Sequence, residues 1–408
     1  MKNNIIIKKI NIVLSVLFLY SCIDQMQDAG DAKKVTPVRG TVTIQVNTGF
    51  VTKAGDPGFP TEGLRAVFNN FSENFTKEGI VDERGIVSID SLIPGIYSVN
   101  VSGKVDYNGQ DYYLNGAVSN VSIFEDITEE DAIENNKKVP SINIRPAKVG
   151  PLCFREIYYC GVTPYYFRDQ TYEIYNNGDE VFYLDSLCFA QLEPNVATAT
   201  LPVWPDEDGV DNYVYGIVVW QISGSGKDYP LQPGESFLIV QEARDHRVNN
   251  ASSFDNSMAE WEAWSGNAGR DNPEVPNIAY VFWDKPNTMQ WLTSVFGAAF
   301  CIYKMDTPFD PNNWQTQVNK RQRFMKIAAG DVMDGVELLP NMFSFDMKRI
   351  PGFVDAGGTS VGATYCGKSV CRKVTGYRED GTPLYQDTNN STQDFHERSV
   401  QSLHTGVR

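Results

Sequence analysis

Histidine is scarce in this 408-residue chain, and that scarcity limits the chemistry that the chain can perform. It contains three histidines, His246, His396 and His404. The zinc-protease signature HExxH is absent, and no two cysteines have the CxxC spacing of common zinc and redox sites. The sequence therefore predicts no cofactor and no catalytic residues. A hydrolase of an unrecognised type is the least favoured of the functional alternatives.

Basic residues are also fewer than acidic residues. The chain has 35 lysines and arginines against 51 aspartates and glutamates, which gives a formal net charge of −16 at pH 7. Phosphate backbones repel such a chain, so nucleic acid is excluded as a partner. With 42% hydrophobic and 12% aromatic residues the chain can bury a substantial core, which excludes a disordered protein.

The N-terminal apolar run is too short to remain in a membrane as a spanning helix. Residues 10–20 follow three lysines and are mostly apolar, whereas a spanning helix needs roughly 20 such residues. This is the pattern of an export signal. The run ends at residues 19–22, LYSC, which resemble the lipobox read by lipoprotein signal peptidase. We therefore expect removal of residues 1–21 and lipidation of Cys22, which would anchor the chain to a membrane. An ordinary signal peptide with a chance cysteine is the alternative.

Residues 22–37 are polar and acidic, without apolar periodicity, and predict a flexible tether. Its early aspartates resemble the surface-export tags of Bacteroidota lipoproteins, which implies the outer membrane and the cell surface. Since the predicted signal carries three lysines and no acid, its removal would change the net charge from −16 to −19.

Six further cysteines follow Cys22, and an even number in an exported chain favours disulfides. Spacing makes Cys153 with Cys160, and Cys366 with Cys371, the plausible local pairs. The sequence does not fix the connectivity, and buried free thiols are the alternative.

Residues 38–147 alternate apolar and polar side chains between glycine and proline turns, which predicts an antiparallel β-sandwich. Residues 82–85, DERG, and residues 92–99, LIPGIYSV, resemble the carboxypeptidase regulatory-like (prealbumin-like) domain. That family implies a non-catalytic spacer or binding module.

Residues 151–408 carry a second resemblance. Residues 169–180, DQTYEIYNNGDE, residues 231–240, LQPGESFLIV, and residues 387–395, DTNNSTQDF, resemble the lamin-tail domain, an immunoglobulin-like sandwich. Segments near 193–230 and 245–320 separate these pieces and are interpreted as long insertions. The predicted fold class is therefore mostly β, with two antiparallel sandwiches. The chain as a whole resembles a Bacteroidota outer-membrane lipoprotein family, described as a domain of unknown function.

The second insertion is rich in tryptophan. Trp261, Trp264, Trp283 and Trp291 lie there among polar and Gly/Pro-rich segments, and residues 258–264 could form a short helix. Aromatic rings on inserted loops can stack on a glycan or anchor a peptide. The alternative, favoured for most of them, is a satellite core.

An acidic loop places Asp206, Asp208 and Asp211 around Gly209. Oxygen ligands near a glycine turn can bind calcium, although the spacing differs from the EF-hand and a solvated loop is the default interpretation.

The leading hypothesis is a non-enzymatic envelope lipoprotein that binds a ligand or partner. The family resemblance implies an accessory role beside an outer-membrane transporter. An adhesion or structural envelope protein is the alternative.

Overall fold

The computed structural model describes residues 38–47, 59–107, 109–134, 141–147, 149–205, 209, 212–264, 266, 268–286, 290–305, 310 and 312–399. The predicted signal peptide, the lipidated Cys22 and the tether lie outside these residues. So do the calcium candidates Asp206, Asp208 and Asp211. Their roles stay predictions.

The N-terminal part is a sandwich of a three-stranded and a five-stranded sheet. Its strands are β1 (Val38–Asn47), β2 (Arg65–Asn70), β3 (Phe75–Ile80), β4 (Ile86–Leu92), β5 (Gly95–Tyr107), β6 (Gln110–Ile123), β7 (Ile142–Asn143) and β8 (Arg145–Ala147). The sheet orders are β4-β1-β7 and β3-β2-β5-β6-β8. One apolar core includes Val42 and Ile44 of β1 together with Phe68 of β2 and Val99 of β5, so it lies between the two sheets.

Period-two patterning explains the strands of this sandwich. On β4, Val87 and Ile89 are buried while Ser88 and Asp90 are exposed. Before it, Gly85 adopts φ +75°, which a side chain would disfavour, and closes the turn with a bond from its N–H to Asp82 O at 3.0 Å. Helix α1 (Glu129–Glu134) follows β6.

The C-terminal part is built on one large sheet, with two small two-stranded sheets beside it. Its strands are β9 (Leu152–Tyr158), β10 (Thr171–Asn176), β11 (Phe182–Tyr183), β12 (Leu187–Leu192), β13 (Tyr213–Gln221), β14 (Pro230–Leu231), β15 (Ser236–Val240), β16 (Trp261–Ala263), β17 (Asn277–Trp283), β18 (Ala299–Lys304), β19 (Trp314–Gln315), β20 (Phe324–Ala328), β21 (Val332–Glu337), β22 (Ser369–Arg372), β23 (Val374–Tyr377), β24 (Pro383–Tyr385) and β25 (Phe395–Arg398). Helix α2 (Ser391–Asp394) and 3-10 turns at His246–Val248, Ala329–Asp331 and Met342–Met347 complete the described elements.

The large sheet runs β21-β18-β12-β13-β17-β16-β15-β10-β9-β22-β25, with β19 and β20 attached through β13, and the two small sheets are β11-β14 and β23-β24. Strands β13 and β16 to β19 come from the two segments predicted as insertions, so those segments are integral to the sheet. Residues 258–264 do not form the predicted short helix. Residues 261–263 instead form β16, because β15 and β17 offer parallel partners on both sides.

Both faces of the central strands are buried, which explains their nearly continuous apolar sequences. On β12, Phe189 packs with Trp220 and Phe300 in the main core. Its neighbours Cys188 and Ala190 point to a second core on the opposite face. The prediction of a mostly β protein of sandwich type is confirmed.

The two parts are in contact. Asn115 of β6 is fully buried, and its Nδ2 donates to Thr388 O at 2.6 Å. At a second contact between the two parts, the rings of Phe71 and Phe345 stack with centroids 4.9 Å apart. A buried side-chain bond and an aromatic contact hold the sandwiches to each other.

Among the described residues, no helix has the length and apolar character that a membrane crossing requires.

Candidate ligand-binding groove

The predicted tryptophan set does not assemble into one site. Trp291 is buried in the main core, where its Nε1 donates to Gln191 Oε1 at 2.8 Å. Trp283, at the end of β17, meets Trp220 edge to face at 5.7 Å. Trp264 follows β16 and is half-buried. Trp291 and Trp283 are therefore core residues, as the alternative expected, but they pack in the main core and not in a satellite core of the insertion.

Trp261 lines a cavity. A groove of about 620 Å³, here called the Trp261 groove, lies where β15 and β16 begin. Its lining includes Tyr229, Pro230, Glu235, Glu260, Trp261 and Pro276. That volume falls within the range of small-ligand pockets, about 300–1,000 Å³.

Local sequence explains how the groove forms. Strand β14 pairs with β11, and the next four residues turn the chain into β15. That turn uses Gly234 at φ +84° and a bond from Glu235 N to Gln232 O at 3.1 Å. Because β16 pairs in parallel with β15, Trp261 is brought beside the β14 segment.

Two aromatic rings define the apolar part of the groove. The Tyr229 ring meets the Trp261 ring edge to face, with centroids 5.0 Å apart and an angle of 79°. Trp261 is 6% exposed and forms the floor, whereas Tyr229 is 38% exposed and forms a wall. Pro230 and Pro276 add rigid apolar surface.

The polar part of the groove is acidic. Asp228, Glu235 and Glu260 line it, and none of its described lining residues is basic. Internal bonds orient these carboxylates, since Glu260 Oε2 accepts from Leu238 N at 2.9 Å and Glu235 Oε2 accepts from Gln232 N at 2.8 Å. Carboxylate oxygens accept hydrogen bonds, so the groove is suited to a ligand rich in donors.

A second cavity, of about 480 Å³, was not predicted from the sequence. It lies beside Trp204, Tyr215 and Arg349. The Trp204 and Tyr215 rings stack face to face with centroids 3.6 Å apart, so each ring covers one face of the other. The flanking Pro202 and Pro205 are the sequence signal that marks Trp204 as a fixed aromatic group.

Buried carboxyl groups with raised pKa values lie away from both cavities. Burial raises the pKa of Asp169 and of Asp355 to about 6, and that of Asp334 to about 7. Each accepts hydrogen bonds from interior groups, and none lines the Trp261 groove or the second cavity. These carboxyls are part of the interior packing.

Three arginines surround one buried carboxylate next to the only histidine in the interior of the described chain. Arg168 and Arg244 lie 3.8 and 3.5 Å from Glu242, and Arg270 bonds to it. His246 is fully buried, with Tyr166 OH 2.7 Å from its Nδ1 and Glu242 O 3.0 Å from its Nε2. Desolvation lowers the pKa of His246. Its partners are those of a structural histidine.

Residues 358–362, GTSVG, have the GxSxG spacing of serine hydrolases. They do not form a strand-to-helix turn, because the segment is irregular. Ser360 Oγ accepts from Gly362 N at 2.9 Å, and the described histidines lie elsewhere, His246 against Tyr166 and His396 on β25. The local geometry is therefore not that of a nucleophile elbow.

Residues 362–369, GATYCGKS, match the spacing of a phosphate-binding loop, GxxxxGK[ST]. Strand β22, not a helix, follows this loop. Two main-chain N–H groups of the loop already donate to carbonyls of the protein: Tyr365 N to Cys160 O at 2.6 Å and Gly367 N to Gly161 O at 2.9 Å. Lys368 pairs with Glu397 at 3.1 Å. The geometry does not provide a phosphate cradle.

The cysteines are arranged differently from the predicted pairs. All six described cysteines are free thiols. Cys153 packs against Tyr175 and Tyr385, whereas Cys160 lies 3.4 Å from Cys366, sulfur to sulfur. The predicted pairing of Cys153 with Cys160 is wrong, because Cys153 lies at the start of β9 and Cys160 lies two residues beyond its end. Cys371 is held in β22, opposite Glu156.

No cluster of three or more metal-binding side chains occurs among the described residues.

Comparison with known proteins identifies the family. Residues 232–402 match the family described as "Protein of unknown function (DUF4876)". The chain is also similar to a DUF4876 family protein from Bacteroides thetaiotaomicron VPI-5482, whose crystal structure was solved at 2.50 Å. Identity is 35% and the TM-score is 0.59, and the match covers 90% of this chain and 98% of that chain.

The chain belongs to the DUF4876 family.

A DUF3823 family protein from Bacteroides ovatus ATCC 8483, solved at 2.77 Å, also matches, with 8% identity and a TM-score of 0.15. That match covers 71% of this chain and 97% of that chain, and it carries no argument about the fold. No curated protein matches the chain. Membership of DUF4876 confirms the predicted Bacteroidota family of unknown function. The finer resemblances to lamin-tail and carboxypeptidase regulatory-like domains stay predictions.

Proposed function

We propose that this DUF4876 protein is a cell-envelope lipoprotein that binds a neutral glycan in the Trp261 groove and performs no catalysis. The observation that supports this most directly is the groove itself, which combines Tyr229, Trp261 and two prolines with three carboxylates. Apolar sugar faces pack against such rings, and carboxylates accept hydrogen bonds from sugar hydroxyls.

The charge of the protein favours a neutral ligand over an acidic one. Its formal net charge is −16, and the described groove lining has carboxylates without a basic side chain. Both features repel sialylated, sulfated or phosphorylated ligands.

The anchoring part of the proposal is supported by residues 1–22 of the sequence. Cys22 carries the lipid, the chain is attached to the outer membrane, and it faces the cell surface as an accessory of an outer-membrane transporter. Similarity to a Bacteroides thetaiotaomicron protein fits this setting.

Calorimetric titration of the purified chain against matched neutral and acidic oligosaccharides tests the binding. We expect saturable binding of a neutral oligosaccharide and roughly tenfold weaker binding by Tyr229→Ala, equivalent to about 1.4 kcal/mol. Tyr377→Ala is the matched control, because Tyr377 is 69% exposed and lies outside the groove. The proposal fails if no neutral glycan binds, or if Tyr229→Ala binds as well as Tyr377→Ala.

Anchoring is tested separately by metabolic labelling with an alkyne fatty acid and by protease treatment of intact cells. We expect Cys22→Ser to abolish labelling, and the wild-type chain to be cleaved on intact cells. Labelling that survives Cys22→Ser would contradict lipidation at this residue, and protection from protease would contradict exposure at the surface.

The second candidate function is a structural or adhesive envelope protein. The contact between the sandwiches through Asn115 and the Phe71–Phe345 stack favours it, because a fixed interface makes the chain a semi-rigid spacer. Absence of any glycan binding together with protein capture at the cell surface would favour this candidate.

A further inference from the structure

Two cysteines far apart in sequence meet at one point of the C-terminal part. Cys160 follows β9 and is fully buried, while Cys366 lies in the loop before β22 and is half-buried. Their sulfur atoms are 3.4 Å apart. The closeness of these thiols does not depend on the proposed glycan function.

Main-chain hydrogen bonds hold the chain segments that carry the two thiols next to each other. Tyr365 N donates to Cys160 O at 2.6 Å, and Gly367 N donates to Gly161 O at 2.9 Å, one bond on each side of Cys366. Val162 forms an antiparallel bridge with Cys366. The backbone on both sides of the pair is therefore fixed before any covalent bond forms.

The other described cysteines lack such an arrangement. Cys153 is enclosed by Tyr175 and Tyr385, and Cys371 Sγ lies 3.6 Å from Arg372 O. Cys188 and Cys301 lie on the neighbouring strands β12 and β18, each opposite a different residue and fully buried. A solvent-borne oxidant reaches Cys366 before any of these.

We propose that Cys160 and Cys366 are an oxidisable dithiol that forms an intramolecular disulfide when the chain meets a small disulfide oxidant. The Cys366 thiolate attacks one oxidant sulfur, forms a mixed disulfide and releases the other sulfur as a thiolate. Cys160 then loses its proton and attacks the Cys366 sulfur, which releases the second half of the oxidant. Two protein thiols are oxidised, and the oxidant is reduced to two thiols.

Burial assigns the order of these steps. Desolvation raises the pKa of Cys160 to about 12, so its thiol is a poor initial nucleophile. The more exposed Cys366 therefore reacts first, and Cys160 resolves the mixed disulfide.

The bond would link two loops whose tyrosine side chains, the exposed Tyr165 and the half-buried Tyr365, are in contact. Tyr165 and Tyr365 both adopt left-handed backbone conformations, with φ of 54° and 53°, and their rings meet edge to face at 5.2 Å. Tyr165 is 79% exposed. Oxidation would hold both tyrosines in this conformation at the surface.

The experiment uses the full chain with Cys22→Ser, treated with glutathione disulfide, alkylated under denaturing conditions and mapped without reduction by mass spectrometry. We expect a cross-linked peptide pair containing Cys160 and Cys366, loss of two of the six alkylatable thiols, and a rise in Tm of about 3–8 °C that dithiothreitol reverses. Cys366→Ser should lose both the cross-link and the shift. Cys371→Ser, the matched control, should keep both.

Three results would each overturn the proposal. The first is that all six thiols remain alkylatable after oxidation. The second is a cross-link joining Cys153 to Cys160 or Cys366 to Cys371. The third is a reversible Tm shift that persists in Cys366→Ser.

Discussion

The guanidinium of Arg372 donates to Asp334 Oδ2 at 2.5 Å in the fully buried interior of the C-terminal part. The same guanidinium lies 3.2 Å from Asp387 and 3.3 Å from Asp394, and its Nε donates to Phe154 O at 2.9 Å. One cation is therefore shared by three carboxyl groups whose side chains are at most 2% exposed. This cluster joins β9, β21 and β22 to the closing DTNNSTQDF segment.

Replacement of Arg372 by methionine should strongly destabilise the fold. The substitution keeps the apolar stem and leaves buried acids without their cation, which costs about 3–5 kcal/mol. Urea unfolding monitored by tryptophan fluorescence measures this loss. Arg247→Met is the control, since Arg247 pairs with Asp245 and Asp255 at the surface, where solvent screening leaves an ion pair with little effect on stability. Equal losses in the two variants would contradict the role of Arg372.

Asp169 should make the protein less stable as the pH rises from about 4 to about 6. Its ordinary pKa is 3.8, and burial raises it to about 6 in the folded chain. The folded state therefore binds more protons than the unfolded state in this window, and the free energy of unfolding falls with rising pH. Asp169→Asn should remove this dependence.

Between pH 4 and pH 7, the free energy of unfolding of Asp169→Asn should rise by about 2–3 kcal/mol relative to that of the wild type. The amide oxygen can still accept from Tyr158 and Ser253, which both donate to Asp169 Oδ2. Denaturant titrations of both proteins at pH 4, 5, 6 and 7 measure the difference. A difference that does not change with pH would refute the prediction.

His246 should have the opposite effect on the pH dependence of stability: it should make the protein less stable as the pH falls. Desolvation lowers its pKa in the folded chain, although Glu242 and Asp245 oppose that shift and Arg244 adds to it. Since the unfolded histidine takes up a proton below about pH 6.5, the stability that the neutral ring contributes is lost as the pH falls through that value. His246→Gln should lose less stability than wild type between pH 7.5 and pH 5.5.

Differential scanning calorimetry at the two pH values measures this change as a drop in Tm. His396→Gln is the matched substitution, because His396 is exposed on β25 and should influence the drop much less. The prediction is wrong if the drop in Tm is the same for wild type and His246→Gln.

Trp291 should matter for stability and not for ligand binding. Its ring is 3% exposed and lies near Tyr172, Phe189 and Trp220. Trp291→Ala should lower the free energy of unfolding by about 3–5 kcal/mol. Trp314→Ala is the control, because Trp314 is 37% exposed and should cost under about 1 kcal/mol. Chemical denaturation distinguishes them, and similar costs would contradict the core assignment.

Local sequence predicted much of the fold because strand patterning and turn chemistry act over a few residues. The turn Asp82–Gly85 and the alternation of Val87 and Ile89 could both be recognised, and the structure has them. The segment TYEIYN became β10, where Glu173 pairs with Arg155 at 2.5 Å. This polar side chain therefore helps to hold strands β9 and β10 together.

The sheet order could not be predicted, because it depends on contacts between distant segments. Residues 261–263 have too few positions to distinguish a helix from a strand, and parallel pairing with β15 decides the outcome. The same limit applies to the site. Tyr229 and Trp261 are separated by 31 intervening residues in sequence, and the β14–β15 turn brings them together. Cys160 and Cys366 are separated by even more of the sequence, so local spacing predicted the wrong cysteine pairs.

A recombinant fragment that began at Gln232, where the family match starts, would not be a folding unit. Strands β15, β18 and β22 pair with β10, β12 and β9, all of which precede that residue. The fragment would present open strand edges whose unsatisfied main-chain groups are templates for aggregation. The folding unit of this chain is therefore larger than the segment that matches the family, and it includes strands β9, β10 and β12, which precede that segment.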